Sequence, residues 1–315
     1  MKKKPLVVLT GPTAVGKTKA SIGLAKAIGG EIISADSMQV YEYMDIGSAK
    51  IRPEEMQGIP HYLVDELKPL DELDPSDEFH VVRFVEMAKQ ALKEITANGQ
   101  IPIVVGGTGF YIQALLYDID FTSTSQDDNY RQDLENLAKE KGAEYLHNML
   151  REIDPKSAED IHANNIKRVI RALEYYHQTG QKMSRHNEEE RQKESPYEFV
   201  YFVLNAPREQ LYQRIDRRVD QMMSEGLVEE VKRLKEMGCT KEMVSMQGLG
   251  YKEILAYLDG EYALDEAVYT IKRDTRHFAK RQLTWFRRER QVTWIQKEKY
   301  DYDEEKILEA MISHL

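Results

Sequence analysis

Residues 11–18 read Gly-Pro-Thr-Ala-Val-Gly-Lys-Thr and match the pattern G-x-x-x-x-G-K-[ST]. The glycines let backbone N–H groups close around phosphate oxygens, and a helix starting behind the loop adds its positive end. Gly11, Pro12, Thr13, Ala14, Val15 and Gly16 form the cradle, and Lys17 supplies a point charge. Thr18 is placed to ligate Mg2+. The loop alone does not say whether its phosphate is attacked or departs. A second candidate is Asp36, in the stretch Ser-Ala-Asp-Ser-Met-Gln-Val-Tyr. An aspartate there can cap a helical turn. It can also face the ligand on Lys17, holding an acceptor hydroxyl as in a small-molecule kinase or taking a proton from a nitrogen nucleophile.

These residues need a frame. The apolar run 6–10 predicts a strand, and 17–28 predicts a helix closed by Gly29-Gly30. Residues 31–36 and 101–107 predict two more strands, with a long helix over 79–97 between them. Alternating strands and helices imply an α/β fold, a P-loop NTPase-like parallel sheet flanked by helices. In such sheets ligands bind at the C-terminal strand ends. That rule gathers 11–18, Asp36 and 106–109 on one edge.

Beyond about 118 the texture changes. Residues 118–132 are polar and turn-rich, amphipathic helical segments follow, and 184–196 is so charged that a mobile loop or solvated helix end is expected. Residues 197–207 are again apolar, 208–290 reads as helical, and 292–296 suggests a short last strand. The expected organisation is a catalytic core of 1–118 and 197–315, interrupted by a smaller all-helical insertion domain over 119–196.

Composition narrows the classes. The chain has 315 residues, 41% hydrophobic and 31% charged, as in a soluble globular protein. Its single cysteine, Cys239, allows neither an internal disulfide nor a cysteine-rich zinc site and reads as a loop or core thiol. The apolar run after the basic start is too short for a signal peptide, and no stretch is long enough to span a membrane. A cytoplasmic location and no membrane partner are therefore expected. The net charge of −10 disfavours nucleic acid on average. Yet 272–290 concentrates eight Lys and Arg against two acids, the kind of local segment that binds RNA.

Several motifs together resemble the tRNA dimethylallyltransferases, the bacterial tRNA isopentenyltransferases. They are GPTAVGKT (11–18), ISADSMQVYEYMDIGSAK (33–50), PHYLVDEL (60–67), VVGGTGFYIQALL (104–116), SMQGLGYKEI (245–254) and AKRQLTWFRR (279–288). The resemblance spans nearly the whole chain in order. It implies transfer of a dimethylallyl group from dimethylallyl diphosphate to N6 of adenosine 37, 3′ to the anticodon, in tRNAs reading codons that begin with U. Diphosphate is then a leaving group stabilised by 11–18 with Mg2+. Asp36 matches the family's general base, and Thr13 the hydroxyl beside donor and amine. Asp36, Ser37, Met38 and Gln39 match contacts to the target nucleotide, and Thr108, otherwise a simple turn residue, matches a tRNA contact. Asn164, Asn165, Ile166, Lys167 and Arg168 match a contact stretch in the insertion, where the residues alone read as the start of an amphipathic helix.

Two further matching stretches are Gln247, Gly248, Leu249, Gly250, Tyr251, Lys252 and Lys280, Arg281, Gln282, Leu283, Thr284, Trp285, Phe286, Arg287. Unaided, the second reads as a helix with a charged face, and Trp285 and Phe286 as core. Arg208 and Arg214 are weaker candidates for the diphosphate. The insertion and the basic segment are expected to clamp an anticodon stem-loop, and the protein to act as a monomer. Some eukaryotic relatives carry a C-terminal Cys/His zinc finger; with one cysteine, structural zinc is not expected here. The rival reading is a P-loop small-molecule or nucleotide kinase, which accounts for the loop and Asp36 but not for KRQLTWFRR. A relative that prenylates free AMP or ATP shares the loop, but a mononucleotide needs no clamp.

Overall fold

The computed structural model describes residues 3–121 and 128–315. Six strands form one parallel sheet: β1 (Lys4–Thr10), β2 (Gly30–Ala35), β3 (His61–Tyr62), β4 (Ile101–Gly106), β5 (Tyr197–Asn205) and β6 (Val292–Gln296). Their order is β3-β2-β4-β1-β5-β6. β1 is central, and its residues Leu6 to Thr10 are buried, as a parallel strand covered on both faces requires. Register brings Thr10 of β1 and Ala35 of β2 both opposite Gly106 of β4. The three loops that follow these strands therefore open on one edge, as expected.

The helix Lys17–Ile28 begins and ends where the pattern predicts, with Gly29 closing it at φ 64°. The helix after β3 starts at Val81, with the His80 side chain as its cap. Several elements were not anticipated, among them β3, the helix Gly109–Leu116 after β4 and a C-terminal helix. β3 has only two residues, too few for a period to show. The helix Glu304–Ile312 places Ile307 and Met311 in the same apolar core as Leu24, Phe202 and Leu204.

Two compact units divide the chain: Met1–Leu116 with Pro196–Leu315, and Tyr117–Ser195. The second unit is helical, with a core of Leu134, Leu146, Leu150, Val169, Ile170 and Leu173. Of the two expectations for 184–196, a mobile loop or a solvated helix end, the charged and largely exposed helix Met183–Gln192 fits the second. Although this segment has little to bury, Asp154 holds its start by accepting from the Ser184 N–H at 2.9 Å and the Ser184 hydroxyl at 2.6 Å. The turn-rich reading of 118–132 falls in part on 122–127, outside the described residues; Asp128–Lys141 is helical. Among the described residues no helix is long and apolar enough to cross a membrane.

Candidate active site

The loop after β1 takes the backbone shape that its sequence demands. Gly11, Ala14 and Gly16 all have positive φ, at 150°, 62° and 100°. Val15 is fully buried beneath them. The Lys17 ammonium donates to the carbonyls of Gly11 at 3.0 Å and Pro12 at 3.1 Å. Burial lowers its pKa to about 8, with the Asp36 carboxylate pulling it up and the Arg218 charge pushing it further down. A lysine held this way gains by receiving a polyanion.

Asp36 leaves the end of β2, half-buried, and its Oδ1 accepts the Met38 N–H at 2.9 Å. This is an Asx turn and not the helix cap that the sequence suggested, because 37–43 forms turns instead of a helix. Arg218 is the residue that sequence reasoning missed. Burial lowers its pKa, and Asp36 opposes that shift. Arg208 and Arg214, the arginines singled out beforehand, lie over the rings of Tyr212 at 5.0 Å and Tyr302 at 5.6 Å. A signal existed: Leu211, Ile215 and Val219 form the buried stripe of that helix, and Arg218 flanks it.

The segment 44–50 hangs from a second buried carboxylate. Glu230, 1% exposed, accepts from Asp45 N at 3.0 Å, Ile46 N at 2.8 Å, Gly47 N at 3.0 Å and the Tyr251 hydroxyl at 2.8 Å. Tyr251 in turn accepts from Ser48 N at 3.1 Å. Lys50 joins Asp45 and the Tyr41 carbonyl, each at 2.7 Å, and Asp65 at 2.5 Å. The Gln39 amide donates to the carbonyls of Ser48 and Ala49 at 3.4 and 3.2 Å. The paired ADSMQVY and MDIGSAK motifs are thus two halves of one braced loop. Beneath the phosphate loop, the buried Lys297 ammonium pairs with Glu304 at 2.8 Å and reaches the Val15 carbonyl at 3.4 Å.

The turn after β4 packs too closely for side chains. A Cβ at Gly107 would lie 2.2 Å from the Gln282 amide, and one at Gly109 2.2 Å from the Trp285 indole. Thr108, half-buried, donates its N–H to the Ala35 carbonyl at 3.2 Å. The helix Leu264–Phe286 crosses this turn. Its residues Lys280, Arg281, Thr284 and Trp285 line an open depression of about 350 Å³ with His277 and Arg288. Arg287 is exposed, Leu283 packs on the sheet core, and Gln282 and Phe286 are buried.

In 247–252, Gln247 and Lys252 are exposed and Leu249 is half-buried, while Gly248, Gly250 and Tyr251 face the interior. Met38 packs on Gly248, and Ser37, like Met38 and Gln39, is half-buried. In the insertion, Asn164, Asn165, Lys167 and Arg168 are exposed around the start of the helix Ile166–Thr179, and Ile166 packs on that unit's own core. Cys239 is buried, which together with Glu72 pushes its thiol up to about 11. Among the described residues no group of three or more His, Cys, Asp or Glu could hold a metal ion. Thr18, in the first helical turn, remains an oxygen donor at the cradle for an ion that a diphosphate would bring.

A parallel sheet ending in a cradle of this shape, with Lys17, Asp36 and Arg218 converging on it, defines a P-loop protein built for a phosphate-bearing ligand. The model of the IPP transferase family matches residues 39–289. The chain is 61% identical to the tRNA dimethylallyltransferase of Lachnoclostridium phytofermentans over 99% of its length and 97% of that protein's. It is 54% identical to the same enzyme of Acetivibrio thermocellus, over 96% of this chain and 95% of that one. It superposes on the full-length tRNA isopentenylpyrophosphate transferase of Bacillus halodurans with a TM-score of 0.69 at 43% identity, covering all of both chains. With a eukaryotic dimethylallyltransferase acting on tRNA the TM-score is 0.77 at 31% identity, over 93% of this chain and 74% of that one. The chain belongs to the IPP transferase family.

Proposed function

We propose that this protein transfers a dimethylallyl group from dimethylallyl diphosphate to N6 of adenosine 37 in tRNA and releases diphosphate. The observation that carries the reading is the phosphate loop at the end of β1, with Lys17 held on the Gly11 and Pro12 carbonyls and Asp36 leaving β2 on the same sheet edge. In the transfer, the bond from the allylic carbon to the diphosphate oxygen breaks and a bond from that carbon to N6 forms. Negative charge grows on the departing diphosphate, where the loop N–H groups, Lys17 and Arg218 stabilise it. The amine is a poor nucleophile because its lone pair is delocalised into the ring. Asp36 takes its proton, and the Thr13 hydroxyl orients the amine against the donor. A Mg2+ ion carried by the diphosphate and held by Thr18 would supply further charge neutralisation.

The adenine must leave the anticodon-loop stack to reach this edge. Ser37, Met38, Gln39 and Thr108 are assigned to the extruded nucleotide. Lys252, Lys280, Arg281, Thr284 and Arg287 are assigned to the stem-loop backbone, as are Asn164, Asn165, Lys167 and Arg168 of the insertion. The protein acts as a monomer in this scheme. The test is incubation with radiolabelled dimethylallyl diphosphate, Mg2+ and unmodified tRNA. Label at the adenosine 3′ to the anticodon is expected, and Asp36→Asn should lower turnover by ~10²–10⁴ while leaving tRNA affinity in place. ATP consumption with no label in RNA would instead make the protein a kinase.

A further inference from the structure

Gln282 sits on the basic helix but faces away from its exposed side. Its side chain is 5% exposed. Its Oε1 accepts the Thr13 N–H at 2.8 Å, and its Nε2 donates to the Gly107 carbonyl at 3.0 Å. One buried amide thus ties the phosphate loop to the turn after β4, with both ends paired. Residue 107 is glycine because this amide fills the space of a Cβ, and the same Cβ would lie 3.9 Å from the Lys17 ammonium. The Thr13 N–H is thus committed to Gln282.

We propose that Gln282 is a positioning residue for the donor, not a contact to RNA: it sets the spacing between Thr13 and Thr108 by holding the backbone of the first and the neighbour of the second. It does so from a helix whose outer residues Lys280, Arg281 and Thr284 line the open depression. The helix that meets the acceptor on one side therefore shapes the donor site on the other. This inference rests on the transferase reading above.

Two variants test it. Gln282→Met keeps the length and removes both polar ends. Gln282→Glu keeps an acceptor for Thr13, repels the Gly107 carbonyl and sets a carboxylate in competition with diphosphate for Lys17. Binding of dimethylallyl diphosphate, the KM for donor and for tRNA, and hydrogen exchange at the Thr13 amide are measured for each. Gln282→Met is expected to raise the donor KM about tenfold or more and to speed Thr13 exchange, with tRNA affinity within about twofold of wild type. Gln282→Glu is expected to bind donor more weakly still. If either variant lost tRNA affinity with donor KM unchanged, Gln282 would be an RNA contact. If donor KM, kcat and Thr13 exchange all stayed within about twofold in Gln282→Met, the two loops would hold their spacing without it. Should Gln282→Met not fold, donor binding by Gln282→Glu decides, and affinity equal to wild type overturns the proposal. Wild-type protein that failed to label tRNA would remove the transferase reading, a result separable from any of these.

Discussion

Glu230→Gln removes one charge and one acceptor while keeping the shape of a side chain that holds four donors. The carboxylate takes two N–H groups, Asp45 and Ile46, on Oε2, and Gly47 N–H with the Tyr251 hydroxyl on Oε1. The glutamine amide can present its oxygen to only one of these pairs. The less costly orientation keeps Asp45 and Ile46 on the oxygen and turns the NH2 toward Tyr251, whose hydroxyl can accept. Gly47 N–H then faces another donor with no acceptor. A buried donor left unpaired costs ~1–3 kcal/mol, and the remaining bonds weaken because their acceptor is now neutral. The expected loss is about 2–4 kcal/mol, a large share of the ~5–15 kcal/mol that typically holds a domain. Urea titration of wild type and variant measures it. Tyr251→Phe, which deletes the hydroxyl between Glu230 and Ser48, should couple to Glu230→Gln by ~1 kcal/mol in a double-mutant cycle. Because Gln39 joins this loop to the segment that starts at Asp36, kcat should fall in the variant at temperatures where it stays folded. Stability within about 0.5 kcal/mol of wild type, with zero coupling, would refute the account of 44–50 as a loop hung from a buried carboxylate.

Lys17 gives a pH prediction whose sign follows from its lowered pKa. The ligand-free native state holds this proton less firmly than the unfolded chain, so the lysine destabilises the fold below about 8, and the penalty fades as pH rises toward 10.5. Lys17→Met should therefore melt higher than wild type at pH 7, with the difference gone near pH 10.5, even as donor binding is lost. Diphosphate binds the ammonium form, so wild-type donor affinity should fall as pH rises through about 8, and calorimetry should detect proton uptake on binding near that pH. Gly109→Ala would drive a methyl into the Trp285 indole. A loss of ~1–3 kcal/mol is expected, with weaker tRNA binding, read from melts and filter binding. Lys280→Ala with Arg281→Ala should weaken tRNA binding and flatten its log–log salt slope by about one to two, leaving donor affinity unchanged. An unchanged slope would take this helix out of the RNA interface.

The phosphate loop was legible because its chemistry is local. The positive φ at Gly11 and Gly16, the buried Val15 and the helix start at Lys17 all lie within eight residues. The same holds for five of the six strands, whose buried runs are short and apolar; β3, with two residues, shows no such run. Three of the four donors on Glu230 come from one segment, 45–47, more than 180 residues away, and the fourth is Tyr251. The stripe of Leu227, Val231 and Leu234 sets Glu230 on the buried face, unlike Glu229, but nothing local says what it holds. Gln282 likewise reads as one more polar residue on a charged helix until the fold sets it against Thr13 and Gly107, at separations of 269 and 175 residues. Arg214 and Arg218 lie one helical turn apart on the same face of their helix, so the stripe of Leu211, Ile215 and Val219 does not separate them; only the position of that helix along the sheet edge does. Sequence alone determined the cradle, the acid at the next strand end and the edge where they meet. The tertiary structure decided which distant side chains hold that edge in shape, because a hydrogen bond between residues hundreds of positions apart leaves no spacing in the chain to be read.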